Sequence, residues 1–189
     1  MADTDDLKGT DDMDDVDDAD ATSTASPPRL LRIYLNDHLM AATGGVAVAR
    51  RSQRSNHGTP LGQFLEELVA KISEDRETLI RVMTALAVPV DRLKVAIGEL
   101  GAQAGRLKLN GSLLQYSDLS RLLELEGLNA GVVAKASLWQ NLAATVGADP
   151  RLVGVDFDDL VSRAEAQRAS LEHHRLDAAR RALVGGADG

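Results

Sequence analysis

The sequence predicts an all-α protein, built from four long helices of matched length and one shorter helix that crosses between two hairpins. Three observations carry this expectation. Apolar residues recur at three- and four-residue steps through four long stretches, and no stretch alternates with the two-residue period of a strand. Gly, Pro and Asn punctuate the joints between these stretches. Aromatic residues make up only 3% of the chain against 44% hydrophobic residues, so the core must be built from Leu, Val, Ile and Ala, which suit close helix packing.

The first helix is expected over about 29–56. Ser26-Pro27-Pro28 opens it, with serine as a favourable cap and proline tolerated in the first turn. Leu31, Leu35, Ala42, Gly45 and Ala49 form its stripe, and Gly58 suits the position just past its end. Thr59-Pro60 reads as cap and first residue of the second helix, about 60–87, with Leu61, Leu65, Leu68, Ile72, Leu79, Val82 and Leu86 on one face. A joint this short makes the two helices antiparallel neighbours.

Val88-Pro89 stops the second helix, because a residue before proline avoids the α region. A shorter helix follows over about 91–107, with Gly98, Gly101 and Gly105 leaving room for another backbone to approach. Asn110-Gly111 signals a turn, and Ser117 caps a long fourth helix over about 117–146. Asp156 and Asp159 resemble a capping box for the fifth, about 156–184, which Gly185-Gly186 ends. At 1.5 Å per residue the four long helices span roughly 40–45 Å and the short one roughly 25 Å. The short helix then serves as a crossover, making the first helix parallel to the fifth and the second parallel to the fourth.

The net charge of −8 is unevenly distributed. Residues 1–28 hold ten aspartates and the single Lys8, while the rest of the chain is nearly neutral. Such a run cannot bury apolar surface and repels itself, so 1–28 is expected to be a disordered acidic tail, 29–184 a helical bundle domain and 185–189 a disordered end. The tail solubilises the chain or attracts a basic partner, and it opposes binding to nucleic acid. With no cysteine, an acidic rather than basic start and no apolar run of membrane-spanning length, the expected setting is cytoplasmic, with no membrane association.

Phe64-Leu65-Glu66-Glu67-Leu68, Glu74-Asp75-Arg76-Glu77-Thr78-Leu79 and Val82-Met83 resemble a helix of the ferritin-like superfamily. Tyr34-Leu35-Asn36-Asp37-His38-Leu39 and Ser120 through Glu126 resemble uncharacterised bacterial, actinobacterial-type members of that group. The resemblance covers about 29–184 and implies a ferritin-like four-helix bundle. Members of the superfamily often hold a di-iron centre, which needs Glu from two helices and Glu-x-x-His from two others. Glu66, Glu67, Glu74, Glu77, Glu124, Glu126, Glu165 and Glu172 have no histidine three residues on, and the first helix has no Glu at all. The fold therefore carries over and the metal chemistry does not, so no cofactor is expected.

Counting along the rods sets the expected polar layers. His38 and Asp75 fall at levels about 3 Å apart and are expected to form a buried pair. Glu67, Glu126 and His174 fall together at a second level, the only place where a degenerate metal site could survive. His173 and His174 point about 100° apart on a helix, so one faces inward and the other solvent. Arg50, Arg51 and Arg54 beside Asn56-His57-Gly58-Thr59 complement a helix end more readily than they bind an anion. No nucleophile motif, phosphate loop or aromatic platform for nucleic acid is present.

Two function classes follow. The first is a non-catalytic bundle that acts by association, as a homodimer or with a protein partner. A second apolar stripe on the fourth helix (Leu119, Leu123, Ala130 and Val133) motivates it. The alternative is a metal-dependent redox or storage protein with the degenerate set Glu67, Glu126 and His174.

Overall fold

A computed structural model describes residues 26–98 and 116–184. The described residues are helical, without strands: α1 (Arg29–Ser55), α2 (Pro60–Ala85), α3 (92–98), α4 (Asp118–Val146), a 3-10 turn at Pro150–Leu152, and α5 (Phe157–Val184). The acidic tail through residue 25, the crossover from 99 to 115 and the last five residues lie outside the described residues, and with them Gly101, Gly105 and the Asn110-Gly111 turn.

The ends of the long helices follow from local chemistry. Thr59 accepts a hydrogen bond from the Gly62 amide at 3.1 Å, with Pro60 as the first helical residue, and Ser117 accepts from Ser120 N at 3.1 Å. Asp156 accepts from Asp159 N at 2.9 Å ahead of α5. These side chains satisfy amides that the first turn leaves without partners. The start of α1 differs from expectation: Pro28, not Ser26, stands at the cap position, and no side chain caps the helix.

The turn from α1 to α2 needs two glycines. Gly58 has φ +77, a left-handed conformation that suits glycine. A Cβ on Gly62 would lie 2.2 Å from the Asn56 carbonyl oxygen, so the backbones approach too closely there for any side chain.

At the far end of α2, Val88 N donates to Met83 O at 2.8 Å and Ala87 N to Thr84 O at 3.0 Å. This is a Schellman closure, with Ala87 at φ +55 where glycine is usual. It buries Leu86 and Val88 on either side of the turn. Asn36 then ties the connection to α1: its Nδ2 donates to Arg32 O at 2.8 Å and Pro89 O at 3.1 Å, and its Oδ1 accepts from Asp91 N at 2.7 Å. α3 starts on the Asp91 carboxylate, is held by Lys94 to Asp37 at 2.6 Å, and brings Gly98 against the backbone of Met40.

α1 pairs with α2, α4 with α5, and α1 with α4, whereas α2 and α5 are more widely separated. Asn56 contacts Tyr116 and Arg121 at one end of the α1–α4 pair, and Tyr34 contacts Asn141 at the other. α1 and α4 are therefore antiparallel, which makes α2 parallel to α4 and α1 parallel to α5. α2 therefore ends, and α4 begins, at opposite ends of the bundle.

The core divides into two apolar clusters. One gathers Leu35, Leu39, Met83, Leu138, Trp139 and Phe157 with their neighbours, the other Ala49, Leu65, Leu68, Leu125 and Leu171. Polar residues occupy the level between them.

Candidate functional site

That middle level is organised around Asp75, which is 2% exposed. It lies on the buried face of α2, between the half-buried Ile72 and the buried Leu79. A lone buried carboxylate would be costly, and three side chains compensate it. Lys135 of α4 donates to Oδ2 at 2.5 Å, Arg163 of α5 to Oδ1 at 3.0 Å, and Gln167 of α5 to Oδ2 at 3.1 Å. Lys135 also donates to the Gln167 amide oxygen, so three helices are cross-linked at one level. Burial pushes the Lys135 ammonium below its ordinary range, and the facing Asp75 charge opposes that shift. Arg163 is shared further with Glu74 at 3.1 Å. Beside this group, Arg76 donates to the buried hydroxyl of Thr43 at 2.9 Å, and Thr43 donates to Leu39 O at 2.8 Å.

A cleft of about 100 Å³ reaches this level from the gap between α1 and α4. Its sides are Ala41, Ala42 and Gly45 of α1 and Gly127, Gly131 and Ala134 of α4. Its inner wall includes Leu68, Ile72, Asp75, Arg76, Lys135 and Trp139. Trp139 is 1% exposed, and its indole N–H has no hydrogen-bond acceptor among the described residues. On the opposite side of the layer a larger groove of about 380 Å³ separates α2 from α5, lined by Phe64, Glu67, Lys71, Arg163 and Gln167.

The expected pair of His38 and Asp75 is not formed. Both line the cleft, but the Asp75 partners are Lys135, Arg163 and Gln167, while the His38 ring stands edge-on to Tyr34 at 4.5 Å. Two errors of placement explain this. The buried face of α1 runs through Leu35, Leu39, Val46 and Ala49, which leaves His38 half-buried at its edge. The contact between Arg76 and Thr43 also sets Asp75 roughly a turn and a half further along α1 than His38. Partial burial lowers the His38 pKa, and Asp37 opposes that.

The second expected layer does not assemble either. The Glu67 side chain is 74% exposed and lies 3.9 Å from Lys71. Glu126 is half-exposed, 3.8 Å from Arg175, and His174 lies against the Phe64 ring with centroids 4.2 Å apart. His174 is the half-buried member of its pair, and His173 is turned to solvent. Glu67, Glu126 and His174 share a level along the bundle axis but not a direction around it. Among the described residues no group of three His, Asp or Glu side chains could hold a metal ion. At the bundle centre, where a di-iron site would place carboxylates, Lys135 and Arg163 flank Asp75. Cations there repel a metal, so the donor set does not fit a di-iron group.

Of the arginines at the end of α1, Arg51 is turned to an internal contact, while Arg50 and Arg54 are exposed. Arg51 Nε donates to Glu124 at 2.8 Å, and Asn56 is buried with its amide on Ser52 O and Tyr116 Oη. Arg121 donates to Asn56 Oδ1 at 2.8 Å and stacks over the Tyr116 ring.

Sequence reasoning missed Lys135, Arg163 and Gln167. A signal for Lys135 was present, since it is the one charged residue from Gly127 to Val146. An ammonium alone on an apolar helix needs a buried counter-charge or a route to water. No helix among the described residues is long and apolar enough to cross a membrane. Protein-family models, curated proteins and solved structures give no match to this chain.

Proposed function

We propose that this chain is a non-catalytic helical bundle of ferritin-like plan that acts by association, as a homodimer formed through the outer face of α4. The crossover connection and the four long antiparallel-paired helices support the ferritin-like plan. The observation that carries the dimer is the charge distribution of α4. From Gly127 to Val146 its only charged residue is Lys135, and that side chain is turned into the bundle onto Asp75. Ala130, Val133, Ser137, Gln140 and Ala144 are exposed, as is Leu119 in the first turn. A helix face about 30 Å long that faces water ordinarily carries charge, whereas one without charge and lined by small residues suits another helix at close range.

Self-association by a closed two-fold pair is the commonest solution for such a face. Light scattering on the full chain tests it. A mass of two chains that falls to one in Val133→Arg supports the reading; a mass of one chain at high concentration overturns it. A protein partner on the same face is the outcome if the chain is monomeric and Val133→Arg abolishes a heterologous contact. The metal-storage alternative has no observation of its own in the donor set.

A further inference from the structure

The N-terminal segment joins the bundle at a corner that is short of acid. Asn36 ties the connection after α2 to the first turns of α1, through Arg32 O, Pro89 O and Asp91 N. Arg29 and Arg32 of α1 therefore share a corner with Arg92 of α3. All three are exposed, and none has an acidic partner among the described residues. The carboxylates on the same stretches are already engaged. Asp37 holds Lys94 at 2.6 Å, and Asp91 accepts from the Leu93 and Lys94 amides at 3.1 and 3.2 Å. The helix dipole adds to the deficit. α4 and α5 carry Asp118, Asp158 and Asp159 in their first turns, whereas α1 has no acid there and begins with Arg29. A carboxylate near that end would meet both the cations and the positive pole of the helix.

The missing acid is on the chain itself. Seven aspartates lie from Asp11 to Asp20, with no Lys or Arg between residue 9 and residue 28. They stand 8 to 17 residues before Pro28. A chain of that length typically reaches roughly 15–25 Å. That covers the start of α1, whereas Arg50 lies about 32 Å further along the helix than Arg29. Single surface ion pairs are weak, but tethering holds the aspartates near the corner at an effective concentration on the order of millimolar.

We infer that the acidic segment 11–20 folds back in cis onto the end of the bundle from which it leaves, its aspartates on Arg29, Arg32 and Arg92. The contact leaves the outer face of α4 free, so it does not depend on the dimer.

The chain has no cysteine, so two introduced cysteines take spin labels only where they are placed. In the full-length protein, Ala19→Cys is paired with Thr84→Cys, which is exposed at the near end of α2, and separately with Ser55→Cys at the far end of α1. Pulsed electron spin resonance measures both distances. The Debye length falls from about 20 Å in 20 mM salt to about 4 Å in 0.5 M, so the contact should be present in the first and lost in the second. The sign is decisive. A free run of aspartates repels itself and contracts as salt rises, whereas a docked one is released and moves away. The expected result is a distance from residue 19 to residue 84 that is short and narrowly distributed in low salt, and longer and roughly twofold broader in high salt. Arg29→Gln, Arg32→Gln and Arg92→Gln together should give the high-salt distribution already in low salt. Arg50→Gln with Arg54→Gln should change neither distance. A distance to residue 84 that shortens as salt rises, or one that the three near substitutions leave unchanged, would overturn the inference. So would release by the two far substitutions. Loss of the short distance on dilution with unlabelled protein would place the contact between chains and equally overturn a contact in cis. Circular dichroism checks that each variant is folded.

Discussion

Lys135 Nζ sits 2.5 Å from Asp75 Oδ2 at the middle of the bundle, where the two apolar clusters meet. The pair is unequal. Asp75 keeps Arg163 and Gln167 if Lys135 is lost, whereas Lys135 keeps only the Gln167 oxygen if Asp75 is lost. Breaking a buried pair by removing one partner costs about 3–5 kcal/mol when the other charge is left alone. Asp75→Asn should approach the lower end of that range. Lys135→Met, which leaves a carboxylate with two donors and fills the space with methylenes, should cost about 1–2 kcal/mol. Urea midpoints of the two variants test the order; a larger loss in Lys135→Met would show that the lysine, not the carboxylate, organises the layer.

Ala87 gives the opposite sign. It occupies the left-handed position of a Schellman closure at φ +55. A side chain there is disfavoured by roughly 1–2 kcal/mol, offset in part by the extra freedom of glycine in the unfolded chain. Ala87→Gly should therefore stabilise the protein by about 0.5–1 kcal/mol, although it removes a methyl group from a helix end. Thermal melting detects a change of this size, and a lower melting temperature would contradict the strain argument.

Helix ends and connectivity were legible in the sequence because they are set by local chemistry. Thr59, Ser117 and Asp156 cap where their side chains permit, and the long helices end within two residues of expectation. The Ala87 turn was not legible, since its left-handed conformation is imposed by burial of Leu86 and Val88 rather than by a glycine. The polar layers failed for a geometric reason. Counting residues along a rod gives the height of Glu67, Glu126 and His174 but not their angle about the axis, and angle decides which groups meet. Asp75 was correctly singled out as a residue that needs a partner. The partners came from α4 and α5, through the long side chains of Lys135, Gln167 and Arg163, which reach across the bundle in a way that sequence spacing does not reveal.

The docking of α3 rests on Gly98. A Cβ at that position would stand 2.4 Å from the Met40 carbonyl oxygen, a backbone atom that cannot rotate away. Gly98→Ala must therefore displace α3 from α1, even though alanine is the better helix former by about 1 kcal/mol. Overpacking of this kind costs about 1–3 kcal/mol. Hydrogen exchange should show faster exchange in 92–98 with the long helices unchanged. Unchanged protection there would mean that α1 yields instead.

Acidification should weaken the fold through two histidines. Burial lowers the pKa of His38 and of His174 below the ordinary imidazole value of about 6.5, so both resist protonation in the folded state. Above that value the imidazoles are neutral in both states and contribute no pH dependence. As pH falls through it, the unfolded chain takes up the protons first, and stability declines until the folded pKa values are reached. Asp37 opposes the shift at His38 and Asp177 opposes it at His174, while His173 reinforces it at His174. Between about pH 7.5 and about pH 5.5 ordinary carboxylates remain ionised, so the histidines dominate the slope in that window. The urea midpoint of the wild type should fall over this interval. In His38→Gln combined with His174→Gln the fall should be smaller, whatever the variant loses in absolute stability. An equal fall in both proteins would assign the pH dependence to other groups and leave the two histidines without a role in it.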